Sequence, residues 1–306
     1  MGAEFASTAE FDAFGPWVDQ VLGPDDVPRL YARYPIDFPA SRLVLKVPRD
    51  ISRRDASPTM DLYDALLIAG TDRLTVLTRV GARFTESSVR YDRIAAISNR
   101  VNLLDAKLRL QTIDGAMVEI RYSGASERTM IGLVEILRSA SPAVTDPPRP
   151  SARLPRQTRL ATPPAPLELD DLGKHDVGFV TSFRDLARRE LGVWLLAANG
   201  RTRLTPRGGI VSKALHAVYP MTLHGALICR SEAELHVFSR NDWLVRGGAP
   251  VLSRAHTILP VGLIDEITMH PHRDYEGVDV IVIRIGSALV EVMVPAGSVL
   301  EHALLG

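Results

Sequence analysis

Apolar and polar residues alternate in short runs along most of the chain, and this two-residue period predicts strands at 42–48, 62–69, 73–79, 82–89, 93–103, 107–113 and 116–122. The run ALLIAGTDRLTVLTR, residues 65–79, shows the unit: two apolar segments flank a polar turn. Alternation assigns Leu66, Ile68, Leu74 and Val76 to one core across that hairpin. In TIDGAM, Asp114-Gly115 is a strong hairpin signal and predicts a type I′ turn with Gly at positive φ. The period then lengthens to three and four residues. Met130, Leu133, Val134 and Leu137 predict a helix over 126–138, with Ser126 placed to cap it. The same spacing in Phe11, Phe14, Val18, Val21 and Leu22 predicts an amphipathic helix that ends near Gly23-Pro24.

The second half repeats this grammar. A helix is expected over 178–191, strands near 193–198, 216–230, 234–239, 257–269, 278–285 and 288–294, and a short helix over 297–305. Ala65, Leu66, Leu74, Val76 and Arg79 recur as Ala226, Leu227, Leu235, Val237 and Arg240, an offset of 161 residues. LRLQTIDGAMVEIRY (108–122) lies over VIVIRIGSALVEVMV (280–294) at an offset of 172, so that Asp114-Gly115 falls on Gly286-Ser287. DRIAAIS (92–98) sits over GLIDEIT (262–268) between them. Three matches in order, with hairpin signals in register, argue for an internal duplication.

Residues 141–171 carry eight prolines and few bulky apolar side chains, a composition suited to an extended spacer. The expected organisation is an N-terminal helix (1–26), a first domain (27–140), the proline-rich linker (141–171) and a second domain (172–306).

A unit of seven strands ending in one helix resembles the pleckstrin-homology superfold, in particular the bacterial PH-like and GRAM-like domains. Residues 62–138 carry the resemblance, with GTDRLTVLT (70–78) similar to the Thr-x-x-Arg-Leu hairpin of those domains. In 190–306 the corresponding RSEAELHVF lacks the Thr and the Arg. The resemblance implies an α+β, mainly β chain: two seven-stranded PH-like barrels or sandwiches, each closed by a C-terminal helix, with preceding helices.

Charge and chemistry narrow the function. Thirty-six basic residues balance 36 acidic ones, which gives no long-range attraction to nucleic acid or to an anionic membrane. The lone cysteine, Cys229, excludes an intramolecular disulfide and aligns with Ile68 inside a strand, as a core thiol would. The sequence carries no signal-peptide pattern and no run of about 18 apolar residues, so a cytoplasmic location is expected, with a peripheral place at the inner membrane face as the variant. Nucleophile-elbow, phosphate-loop, dinucleotide and zinc-protease motifs are absent, and no cofactor or enzymatic activity is expected. His270, His272 and Asp274 in MHPHRDYE have strand spacing for a metal, the weakest of the candidate sites. Phosphoinositide-binding PH domains hold phosphates with basic residues on their first two strands. The corresponding positions hold Lys46, Arg49, Arg53 and Arg54 in the first copy, and Arg201, Arg203, Arg207 and Lys213 in the second. The first expectation is a binding protein for a protein or peptide partner, the second an adaptor for anionic lipid head groups, and the third a metal enzyme.

Overall fold

The computed structural model describes residues 7–140, 167–168, 172–208, 219–247 and 251–305. The chain is mainly β, built from several antiparallel sheets, none of which closes on itself. It forms two compact units interleaved in sequence. The first takes residues 1–94, 101–110 and 117–142, and the second takes 95–100, 111–116 and 143–306. The proline-rich segment at 141–171 lies outside the described residues except for 167–168.

In the first unit the N-terminal helix is far shorter than its periodicity suggests: α1 spans Ala9–Ala13, with Thr8 Oγ1 accepting from Phe11 N. Pro16 is the reason, because a proline disfavours helical dihedrals in the residue before it and supplies no amide to extend the ladder. Val18 and Val21 are still buried, but as extended chain beside the sheet: β1 (Asp19–Gln20) pairs with β2 (Leu43–Pro48), and Val21 N donates to Val44 O at 2.9 Å. The sheet continues as a meander through β3 (Tyr63–Ala69), β4 (Arg73–Val80) and β5 (Arg83–Arg90).

The β3–β4 register corrects the expected facing. Leu66 pairs with Leu77, Leu67 with Val76 and Ala69 with Leu74. Leu66, Ile68 and Leu77 therefore share one core with Phe14, Tyr31, Val44 and Tyr63, while Val76 and Leu74 face the other side. Both faces of these strands are buried, so the apolar runs carry no alternation from which the side could be read.

Three strands follow: β6 (Ile94–Asn102), β7 (Asp105–Thr112) and β8 (Met117–Ser123), and then α2 (Glu127–Ser139). Met130, Leu133, Val134 and Leu137 of α2 are all buried, as the stripe predicted. Ser126 does not cap it with its side chain. Its Oγ instead accepts from Val18 N at 2.8 Å and fixes the N-terminal segment.

The second unit opens with α3 (Val177–Arg189), followed by β9 (Trp194–Asn199), β10 (Thr202–Pro206), β11 (Met221–Leu223), β12 (Ala226–Arg230), β13 (Glu234–Ser239), β14 (Leu244–Arg246) and β15 (Arg254–Pro260). It ends with β16 (Glu266–Pro271), β17 (Tyr275–Glu276), β18 (Val278–Ile285), β19 (Ala288–Pro295) and α4 (Val299–Leu305). Two expected strands are each split. Residues 257–269 break at the 3-10 turn Val261–Leu263. The described part of 216–230 breaks at His224-Gly225, where a Cβ on Gly225 would lie 2.9 Å from both Asn199 O and the Asp176 carboxylate. The short strands β10, β14 and β17 had no sequence signal; with β11 they form a small sheet around Leu204, Leu223, Tyr275 and Val278.

The main sheet of this unit runs β15-β13-β12-β9, with residues 95–100 beside β15 and Ser98 Oγ 3.0 Å from Thr257 Oγ1. One face packs on α3 through Leu227, Cys229, Phe238, Phe179, Val180 and Leu186. The other buries Ile228, Leu235, Val237 and Leu259 with Ile281, Ile283, Val292 and Val294. Short as it is, α4 contributes Leu300 and Leu304 to that same cluster, so both are buried by the unit's own core.

The two hairpin turns follow different rules. Gly286 takes φ 59 as the first residue of a two-residue turn, as expected for Gly-Ser. The Asp114-Gly115 turn is not type I′: only Gly115 has positive φ, and the loop is closed by Gly115 N to Thr112 O and Thr112 N to Ala116 O, both 2.9 Å. Thr112 Oγ1, bonded to Asp114 and to Ala116 O, favours this longer loop.

Once the inserted β10, β11, β14 and β17 of the second run and the 3-10 turns Arg53–Asp55 and Gly124–Ser126 of the first are set aside, the order strand, hairpin, strand, 3-10 turn, strand, hairpin, helix occurs twice. The first run is β2, β3/β4, β5, Tyr91–Arg93, β6, β7/β8, α2, and the second is β9, β12/β13, β15, Val261–Leu263, β16, β18/β19, α4.

Candidate functional site

Three of the four candidate basic residues of the first unit are engaged within it. Lys46 is buried on β2, its ammonium 3.3 Å from Asp26 O and 5.3 Å from the centre of the Tyr63 ring. Arg49 donates to Asp61 O at 3.1 Å and lies 3.9 Å from Asp64. Arg53 donates to Phe14 O and stacks over the Phe11 ring at 4.7 Å, which pins α1 to the unit. Arg54 alone of the four projects into solvent, 3.8 Å from Asp55.

In the second unit Arg201 has a carboxylate partner inside the protein. Asp176, fully buried, accepts from Arg201 Nε at 3.0 Å and from Arg240 Nη2 at 2.7 Å and Nε at 3.0 Å. Arg240 also donates to Ser253 O and His175 O, and its guanidinium lies 4.8 Å from the Phe179 ring centre. Asp176 precedes α3 in the capping position but makes no side-chain cap; its charge is committed to the two arginines. Arg207 donates to His272 O and Tyr275 O, both at 3.1 Å, and tethers the loop before β18. Arg203 on β10 is exposed, and Lys213 lies outside the described residues.

His224 is buried near this charge cluster. Burial holds its imidazole pKa down to about 4; Arg201 and Arg240 add repulsion, and Asp176 and Asp242 oppose them. The unfolded chain takes up this proton near 6.5, so the unfolded state binds more protons between 6.5 and about 4. The stability from the neutral ring is complete above 6.5 and is lost as pH falls toward 4. Thermal midpoints measured from pH 7 down to 4 are expected to fall less steeply for His224→Leu than for the parent chain. Parallel slopes would remove His224 as the cause.

His270, His272 and Asp274 do not converge on one point. His270 is exposed on β16 beside Pro271 O at 3.2 Å, and His272 Nδ1 accepts from Asp274 N at 3.0 Å, an arrangement that stiffens a turn. The donor groups that do converge are others: one ligand atom each from Glu190, Glu234 and His236 lie within 4.8 Å of one another. The His236 ring is fully buried, its Nε2 3.7 Å from Glu234 Oε2 and its Nδ1 3.1 Å from His256 Nε2. The sequence signal for this set was the polar pair Glu234-x-His236 on a strand otherwise read as core, and Glu190 is 44 residues earlier in the chain than Glu234.

Strand β5 ends its sheet. It pairs with β4 over all eight residues without a register shift, it holds no proline, and among the described residues no strand lies on its other side. No helix among the described residues is long and apolar enough to cross a membrane. No protein-family model, curated protein or solved structure matches the chain.

Proposed function

We propose that the chain is a non-enzymatic binding protein, two PH-like units descended from one duplicated ancestor, that recognises a protein or peptide partner by strand addition. The repeated order of strands, hairpins, 3-10 turn and closing helix supports the PH-like reading. The observation that carries the binding reading is that no strand among the described residues pairs with the outer side of β5. Natural sheets commonly blunt an edge by shortening it, bulging it, placing proline on it or charging it; β5 is full length, unbulged and free of proline, and its charges, Arg83, Glu86 and Arg90, are of mixed sign. Its eight residues present about 27 Å of straight ladder at ~3.4 Å each.

The turn of two residues between Val80 and Arg83 makes that closing pair hydrogen-bonded, so Arg83, Thr85, Ser87 and Val89 bond inward to β4. Phe84, Glu86, Ser88 and Arg90 then offer N–H and C=O outward to an incoming strand. Ser88→Pro removes one outward N–H and leaves the β4 ladder intact. The expected result in a quantitative pull-down from the native host is loss of the captured partner, with Ser88→Ala retaining it and the thermal midpoint of the proline variant held within a few degrees. Equal capture by the parent and by a folded Ser88→Pro would overturn the reading.

A further inference from the structure

We propose that Glu190, Glu234 and His236 form a binding site for a divalent first-row metal ion, with Zn²⁺ as its occupant. Alternation along β13 directs Glu234, His236 and Phe238 to the face that α3 covers, while Leu235 and Val237 enter the opposite core. Glu190 arrives from the other side of that layer, immediately after the last residue of α3, its amide donating to Leu186 O at 2.9 Å. Three donors are thereby fixed by two rigid elements, a strand held on both sides and the end of a 13-residue helix.

The chemistry of the set fits a dication. Two carboxylates and a neutral imidazole neutralise a 2+ charge when they bind it, and one ligand atom from each lies within 4.8 Å of the other two. The 3.7 Å between His236 Nε2 and Glu234 Oε2 is near the roughly 3.4 Å that separates ligands at ~2.1 Å from a tetrahedral zinc. A nitrogen and oxygen set of this kind favours zinc over copper(I), which prefers sulfur.

The ring behind the donor is also placed as metal sites require. His236 Nδ1 lies 3.1 Å from His256 Nε2, and the tautomer that carries its hydrogen on Nδ1 donates it there and turns the Nε2 lone pair toward Glu234. His256 is itself held by stacking on Phe238, with ring centres 4.3 Å apart. Three protein ligands leave a fourth position for water, the pattern of an open zinc site.

The test is calorimetric titration of Zn²⁺ into the full chain, purified without a histidine tag and stripped with a chelator. One Zn²⁺ per chain is expected, together with a metal-dependent rise in the thermal midpoint. Glu190→Gln, at a helix end where the fold tolerates it, and Glu234→Gln are each expected to weaken binding at least about tenfold. The metal-free midpoint of Glu190→Gln should stay that of the parent, and His270→Ala with His272→Ala should leave binding unchanged. Absence of Zn²⁺ binding, undiminished affinity in both Gln variants, or loss of binding only in the His270/His272 pair would each overturn the proposal.

Discussion

Asp176→Asn is expected to destabilise the second unit by about 3–5 kcal/mol, one of the two largest effects available in this chain. The substitution keeps the shape and removes the charge on which two guanidinium groups converge at 2.7 and 3.0 Å, leaving Arg240 and Arg201 buried or nearly so without an anion. The cost comes from the uncompensated cations rather than from the lost attraction, so removing the arginines as well should recover much of it. Asp176→Leu combined with Arg201→Met and Arg240→Leu is the control, because a buried charge cluster exchanged for apolar residues of similar volume is often neutral. Urea denaturation followed by a probe in this unit measures both. A loss below about 1 kcal/mol for Asp176→Asn would show that water reaches the arginines and that the cluster is not a structural element.

That cluster also shows how much of the protein was legible in its sequence and where legibility stopped. In the first half of the chain all seven expected strands and α2 lie within two residues of their expected ends, because half-buried antiparallel strands impose a period of two and a packed helix a period near 3.6. The first helix failed because an apolar spacing was followed past Pro16, whose backbone chemistry overrides it. The β3–β4 facing failed because a strand buried on both sides has no polar phase to read.

The chemistry was harder to read than the fold. The Arg201 fork was expected to grip an external phosphate, and the anion it grips is Asp176 of the same unit. Sequence shows that a guanidinium is present; only the fold shows whether its partner is already supplied. The histidines make the same point. Proximity in sequence joined His270, His272 and Asp274, whereas the ladder and α3 bring His236 and Glu234 to Glu190.

The second large effect concerns α2. Four buried side chains at ~1.5–3 kcal/mol each give the helix an upper contribution of roughly 6–12 kcal/mol, comparable to the ~5–15 kcal/mol that holds a whole domain folded. Met130 and Leu137 are both fully buried and stand two helical turns apart, far enough for their effects to add. Met130→Ala with Leu137→Ala is therefore expected to cost about 4–10 kcal/mol and to abolish the cooperative unfolding transition of the first unit near room temperature. Arg128→Ala, on the exposed face of the same helix, should change stability by less than about 0.5 kcal/mol, which separates lost packing from lost helix propensity. Helix formation alone cannot rescue the double variant, since alanine favours the helix and only the buried contacts are removed. A double variant that still unfolds cooperatively with a midpoint near the parent's would mean that the sheets hold without the helix, and the closing role assigned to α2 would have to be abandoned.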